Sequence, residues 1–185
     1  MYHAIIFTGI DLGSTTYFRS IGAYRIRTEL EQQGYSVKVI DYFQSLTEED
    51  IELAFEKYVS KETLWVGFST TFFNTSKLLQ DNTKFYTNLR NRFNVPFVIG
   101  GAKGMVEFLD FADIFVTGYA DDATVAITNY LAGKDTNLIF KDFNGKKIVD
   151  SNHNYDKKDI SNIPVIWKPE DGITAQQSLP MEIAR

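Results

Sequence analysis

Four short clusters of small, polar residues carry the chemistry this sequence could do. They are Gly9–Thr16, Ser69–Phe73, Gly100–Lys103 and Gly118–Asp122. Glycines expose backbone N–H groups to close approach, and Ser and Thr add neutral hydroxyls. Together they suit a phosphate, a planar ring or a nucleotide tail. Other chemistries lack their residues. There is no cysteine, which excludes a disulfide scaffold, a thiolate nucleophile, a Cys zinc site and an iron–sulfur cluster held by these residues. Only His3 and His153 are present, too few for a His-rich metal site, and neither is expected to be a ligand. Asp11, Asp41, Asp110, Asp113, Asp121 and Asp122 make no recognisable acid–base pair and read as caps and loop residues.

Each cluster follows a short apolar run, and a helical pattern follows most of them. Residues 3–8 read as a first strand. Residues 17–33 read as a helix striped by Ala23, Ile26 and Leu30, closed by Gly34. Val37–Ile40 is a second strand. Thr47, with Asp50 three residues on, opens a second helix striped by Ile51, Ala54, Phe55 and Tyr58. Leu64–Phe68 is a third strand. One long helix is expected next, capped by Asn74, Thr75 or Ser76 and burying Leu78, Phe85, Tyr86, Leu89 and Phe93. Pro96–Ile99 is a fourth strand, and a short helix is expected around 104–110. Ile114–Thr117 is a fifth strand, and a last helix carries Ala123, Ala126, Ile127 and Tyr130 up to Gly133.

Near-continuous apolar strands alternating with helices predict an α/β fold, with a Rossmann-like or flavodoxin-like, doubly wound, five-stranded parallel sheet over residues 1–135. Ligands on such sheets bind outside the carboxyl ends of the strands, where the four clusters stand. Trp65, Phe72 and Phe73 are expected as core or rim. Asn144-Gly145 between alternating runs predicts a β-hairpin extension over 136–151. Residues 152–185 hold three of the four prolines and read as an extended linker.

Composition narrows the function classes further. The chain has 185 residues, 44% of them hydrophobic and 15% aromatic, enough for a sizeable core. The net charge is −5 and the pI about 5.1, which argues against a nucleic-acid binder. No apolar run reaches the roughly 18 residues of a membrane span. Met1–Phe7 lacks a basic leader, so a cytoplasmic protein is expected.

Several nucleotide motifs can be compared. Asp11-Leu12-Gly13-Ser14-Thr15-Thr16 resembles the first phosphate loop of sugar kinases and actin-like ATPases, but there it is the turn of a hairpin, whereas here it runs into a helical pattern. A flavodoxin-type loop that binds FMN stays open, because Ser14, Thr15 and Thr16 precede a helix N-terminus. A response-regulator receiver needs an Asp after strand three and a Lys after strand five, where this chain has Ser69 and Gly118. GxGxxG and GxxxxGK[ST] are absent.

The whole set of strand ends resembles one family. Gly34-Tyr35-Ser36-Val37-Lys38-Val39-Ile40-Asp41, Val66-Gly67-Phe68-Ser69-Thr70-Thr71, Val98-Ile99-Gly100-Gly101-Ala102 and Gly118-Tyr119-Ala120-Asp121 are similar to the cobalamin-binding domain at the N-terminus of many radical S-adenosylmethionine (radical SAM) enzymes. That resemblance implies that cobalamin buries its dimethylbenzimidazole tail beside Ser69, Thr70, Thr71, Gly100, Gly101, Ala102, Gly118 and Tyr119. Thr71 departs from the Leu usual at its place. The Asp-x-His-x-x-Gly motif of methyl-carrier and mutase domains is absent between Gly9 and Thr16, so the resemblance implies base-off cobalamin without a protein His ligand. Ser178-Leu179-Pro180-Met181-Glu182-Ile183-Ala184-Arg185 resembles the segment just before the Cys-x-x-x-Cys-x-x-Cys motif of these enzymes. The expectation is a domain truncated before a radical SAM barrel, with the [4Fe–4S] cluster and S-adenosylmethionine held only by that barrel. Methyl transfer or a related radical reaction is the implied chemistry of the whole protein. The rival expectation is a degenerate module that binds no cofactor and docks the barrel or another partner.

Overall fold

The phenylalanines of the five parallel strands gather on one face of the sheet, and that asymmetry organises the molecule. The computed structural model describes residues 1–9, 19–70, 73–101, 109–118, 120–151 and 164–172. The strands are β1 (Ala4–Phe7), β2 (Val37–Ile40), β3 (Trp65–Thr70), β4 (Phe97–Gly101), β5 (Ile114–Thr117), β6 (Lys141–Phe143) and β7 (Lys146–Asp150). The helices are α1 (Ile21–Gln32), α2 (Glu48–Tyr58), α3 (Phe73–Asp81), α4 (Thr83–Phe93) and α5 (Asp121–Leu131). The sheet order is β2-β1-β3-β4-β5-β7-β6. The first five strands are parallel, as the sequence pattern predicts.

Strand alternation sends Ile5, Phe7, Val66, Phe68, Phe97, Ile99 and Phe115 to one face. There they meet Phe55 of α2, Leu79 of α3 and Tyr86 and Leu89 of α4. Phe7 stacks between Phe55 and Phe68, with ring centroids 5.7 and 5.3 Å away. The other face carries Ala4, Ile6, Val37, Val39, Trp65, Val98, Ile114 and Val116, covered by α1 and α5. Apart from Trp65, those strand side chains are aliphatic, and they fill less space.

The structure alters four expectations about the elements. The hairpin does not stand apart from the sheet. β7 pairs parallel with β5, and β6 pairs antiparallel with β7, so the sheet has seven strands, not five. Its Asn144-Gly145 turn has φ of 53° and 78°, as a type I′ turn requires. The long third helix is two helices. Asn82 leaves the helical region (φ −115°, ψ 27°) and its side-chain amide donates to the Leu78 carbonyl at 2.9 Å. Thr83 Oγ1 donates to the Gln80 carbonyl. Short polar side chains that capture carbonyls in this way compete with helix continuation. α3 already includes Asn74, Thr75 and Ser76, so none of them caps it. Finally, α1 starts at Ile21 behind Ser20, later than the pattern from residue 17 suggests.

Other signals agree with the structure. Thr47 and Asp50 form the reciprocal capping box of α2. Gly34 follows α1 with φ of 83°. The expected short helix around 104–110 falls mostly outside the described residues, as do Phe72 and His153. No helix among the described residues is long and apolar enough to cross a membrane.

Candidate functional site

A cavity of about 210 Å³ opens at the carboxyl end of the sheet, on its aliphatic face. β3, β4 and β5 form its floor through Gly67 and Ser69, Val98 and Gly100, and Val116. α1 closes one side with Gly22, Ala23 and Ile26, and α5 closes the other with Asp121 and Thr124. Gly101, Gly118 and Ala120 also line it.

Missing side chains shape this space. A Cβ on Gly100 would meet no atom within 4 Å, and neither would one on Gly22. The space beside both glycines is therefore open on the sheet side and on the helix side. Gly100 sits in register with Ser69 on one side and Val116 on the other. Gly101 has φ of 133° and Gly118 has φ of 83°, which L side chains rarely adopt, so the strand ends bend with no side chain on either residue.

Trp65 sets one end of the cavity. Its ring leans along β3 across position 67, where a Cβ would come within 2.5 Å of Cζ3. The indole N–H donates to Thr128 Oγ1 at 2.9 Å, and Thr128 Oγ1 donates to the Thr124 carbonyl. The ring is thereby fixed to α5, and only glycine at 67 leaves room for it. Between the helices, Arg25 Nε lies 3.5 Å from Asp121 Oδ1 in a buried ion pair. Asp121 stands in the first turn of α5, where the helix dipole favours a carboxylate. Ser20 lines the cavity at the start of α1 and its side chain makes no capping bond.

The expected site residues fall in three groups. Ser69, Gly100, Gly101 and Gly118 line the cavity. Thr70 is 1% exposed, and its hydroxyl donates to the Gly100 carbonyl at 3.0 Å; alternation along β3 takes its side chain away from the face that Ser69 shares with Gly67. Thr71, Ala102 and Tyr119 lie outside the described residues, as do residues 11–16. The sequence reading passed over Gly22, Gly67 and Thr124 as site residues. An isolated glycine inside a helical or strand pattern is the available signal for the first two, since it marks a close approach or an omitted side chain.

Of the candidate acids, Asp121 lines the cavity, while Asp41, Asp110 and Asp113 are engaged away from it. Asp41, at the end of β2, accepts from Arg19 Nη1 at 2.8 Å and from the Tyr24 hydroxyl. Burial raises the pKa of Asp41 against the pull of Tyr24 and Arg19. Burial and the Asp41 charge together push the Tyr24 hydroxyl well above the usual tyrosine range. In dinucleotide-binding sheets a carboxylate near this place holds a ribose; here its side chain is 7% exposed and bound to protein. Asp113 pairs with Arg90 and accepts from the Phe97 N–H. Asp110 pairs with Lys146. His3 Nδ1 accepts from the Ser36 N–H at 3.0 Å, before β1 begins. No His borders the cavity among the described residues. Those residues also contain no group of three or more His, Cys, Asp or Glu that could hold a metal.

No protein-family model and no curated protein matches the chain. Solved structures do. The radical S-adenosylmethionine methyltransferase TsrM from Kitasatospora setae, with tryptophan substrate and a SAM analogue bound, aligns at a TM-score of 0.56 and 16% identity, over 78% of this chain and 29% of that one. TsrM with cobalamin and a [4Fe–4S] cluster bound aligns at 0.52 and 14%, over 80% of this chain and 31% of that one. The cobalamin-dependent S-adenosylmethionine radical enzyme OxsB, with aqua-cobalamin bound, aligns at 0.57 and 10%, over 74% of this chain and 20% of that one. The chain thus spans less than a third of the length of each of these neighbours. At these identities the likeness is one of fold.

Proposed function

We propose that this chain is a cobalamin-binding domain. The cavity between the sheet and helices α1 and α5 takes the nucleotide tail of the cofactor, and the corrin ring is presented beyond the carboxyl ends of the strands. The observation that carries this reading is the open space facing Gly22 and Gly100. A dry cavity of about 150 Å³ accepts a benzene ring; this one, at about 210 Å³, suits a fused two-ring base. Its walls are mainly aliphatic and glycine, which favours an uncharged planar group.

Ser69, Gly100, Gly101 and Gly118 are assigned to the tail. Thr70 supports the wall from behind by holding the Gly100 carbonyl. Thr71, Ala102 and Tyr119, which directly follow Thr70, Gly101 and Gly118 in sequence, are assigned to the same site. The Ser20 and Ser69 hydroxyls would meet polar atoms of the tail. The cobalamin in this reading is base-off, without a protein His ligand to cobalt. Bound cobalamin would supply methyl transfer or related radical chemistry to a radical SAM barrel of the same polypeptide, which would hold the [4Fe–4S] cluster and S-adenosylmethionine. The chain's own part is to bind, orient and shield the tail.

The test is to mix the purified chain with hydroxocobalamin and follow corrin absorbance through gel filtration. Co-elution at micromolar protein is the expected result, and its absence refutes the reading. A yellow protein carrying flavin would favour the FMN alternative. Binding of neither, with stability gained on adding a downstream barrel, would favour a docking module.

A further inference from the structure

α1 has two working faces. Gly22, Ala23 and Ile26 face the cavity, while Tyr24, Arg27 and Glu31 meet residues 164–172, which lie along the helix as a strap. Arg27 forms a two-pronged pair with Asp171, Nη1 to Oδ1 at 2.6 Å and Nη2 to Oδ2 at 3.0 Å. Arg27 Nη2 also donates to the Ile166 carbonyl. The two charged side chains are 3% and 4% exposed. The Trp167 and Tyr24 rings meet at 4.4 Å between centroids, and the Arg27 guanidinium sits 4.7 Å from the Tyr24 ring. Lys168 Nζ pairs with Glu31 at 2.6 Å. At the far end, Arg19 Nη2 donates to the Gly172 carbonyl at 3.4 Å, one residue before Ser20 and the cavity wall.

The start of α1 is weak by itself. Ser20 makes no side-chain cap bond, and no acidic residue stands in the first turn. Gly22 within that turn lowers helix propensity. A helix that begins so poorly takes its position from outside contacts, and the strap supplies contacts along most of its length.

We infer that Trp167 and Asp171 are positioning residues for the tail cavity: by clamping the outer face of α1 they hold Gly22, Ala23 and Ile26 at the distance the ligand needs. The ligand part of this inference rests on the cobalamin reading above. The strap and the cavity share one helix, so coupling is reciprocal. A filled cavity tightens the strap by the same factor by which the strap tightens the ligand.

The test uses the full chain, with Asp171→Asn removing the charge pair and Trp167→Ala removing the Tyr24 ring contact and the packing of the indole on the core, with the charge pair kept. Hydrogen exchange without ligand is read first. The amides of residues 20–26 should exchange at least about tenfold faster in both variants, while β3 and β4 keep wild-type rates, which shows that the core remains folded. Hydroxocobalamin should then bind on the order of tenfold more weakly to each variant, and in the wild type it should slow exchange across 164–172. Unchanged exchange at 20–26 in both variants overturns the inference, whether or not cobalamin binds. Faster exchange with undiminished affinity overturns it too. If the wild type binds no hydroxocobalamin, the cobalamin reading fails, and the ligand-free exchange still decides whether the strap positions the cavity wall.

Discussion

Gly100→Val should move stability and binding in opposite directions. The new side chain would enter space in which no atom lies within 4 Å of its Cβ. Gly100 has no positive φ, so a β-branched residue fits the strand without backbone strain. Burying a Val side chain fully is worth about 1.5 kcal/mol, and restricting the unfolded chain adds roughly 0.5–1 kcal/mol. Gly100 is half-buried, so a net gain of about 1–2 kcal/mol is expected. For a chain of this size that raises Tm by roughly 2–8 °C. The same methyl groups occupy the volume assigned to the ligand. Overpacking costs about 1–3 kcal/mol, which weakens hydroxocobalamin binding by roughly 5–150-fold. Thermal melting followed by circular dichroism gives the first number and a corrin absorbance titration gives the second. A lower Tm would mean that the space beside Gly100 is filled. Wild-type affinity in a stabilised variant would place the tail elsewhere.

Gly67→Ala should do the reverse for stability, because its Cβ would lie 2.5 Å from Trp65 Cζ3; a loss of about 1–3 kcal/mol is expected in urea titration, and a neutral result would show that the indole can move. Gly22→Ala should stabilise α1 by roughly 0.5–1 kcal/mol yet weaken hydroxocobalamin binding; unchanged binding would remove that face of α1 from the site. Acid should erase the cost of Asp171→Asn. Burial opposes ionisation at Asp171, but the hydrogen bonds from Arg27 and the Lys168 N–H outweigh it and hold its pKa below the ordinary aspartate value. A carboxylate with a lowered folded-state pKa stabilises above its unfolded value, about 3.9, and loses that contribution as pH falls through the folded one. Asp41, raised by burial and further by the Asp171 charge, has the opposite sign, and the variant relieves only the smaller, Asp171-dependent part of that raise. The difference in urea midpoint between wild type and variant should therefore be clear at pH 6 and shrink by pH 3; an equal difference at both would refute the linkage.

The parallel order of the first five strands was legible because each strand is a short apolar run closed by Gly, Ser or Thr. The capping box at Thr47 and the Asn144-Gly145 turn were legible because each depends on neighbours in sequence. The break at Asn82 was harder to see. The apolar stripe from Leu78 to Phe93 continues through it, and only the carbonyl-seeking side chains of Asn82 and Thr83 mark the interruption. The placement of β7 beside β5 depends on a long-range pairing that a hairpin motif does not encode. At the cavity, the strand-end position of Ser69, Gly100, Gly101 and Gly118 was readable. Gly22 and Gly67 contribute by lacking a side chain, and a periodicity reading counts side chains. The strap was invisible for a similar reason: the Arg27–Asp171 pair spans 144 residues of separation, and no local pattern announces it.

The hairpin settles where the sheet stops. Without it, Ile114-Phe115-Val116-Thr117 would form an apolar outer strand with a row of unpaired backbone groups, a template for pairing with another chain. β7 takes up those groups. β6, which then stands outermost, is three exposed residues long and begins with a lysine. An edge this short and this charged offers little for a second molecule to extend. Cutting the chain before residue 138 would therefore be expected to cost solubility as well as stability, because it removes β7 together with Ser151, whose backbone N–H and hydroxyl fasten to the Thr117 carbonyl.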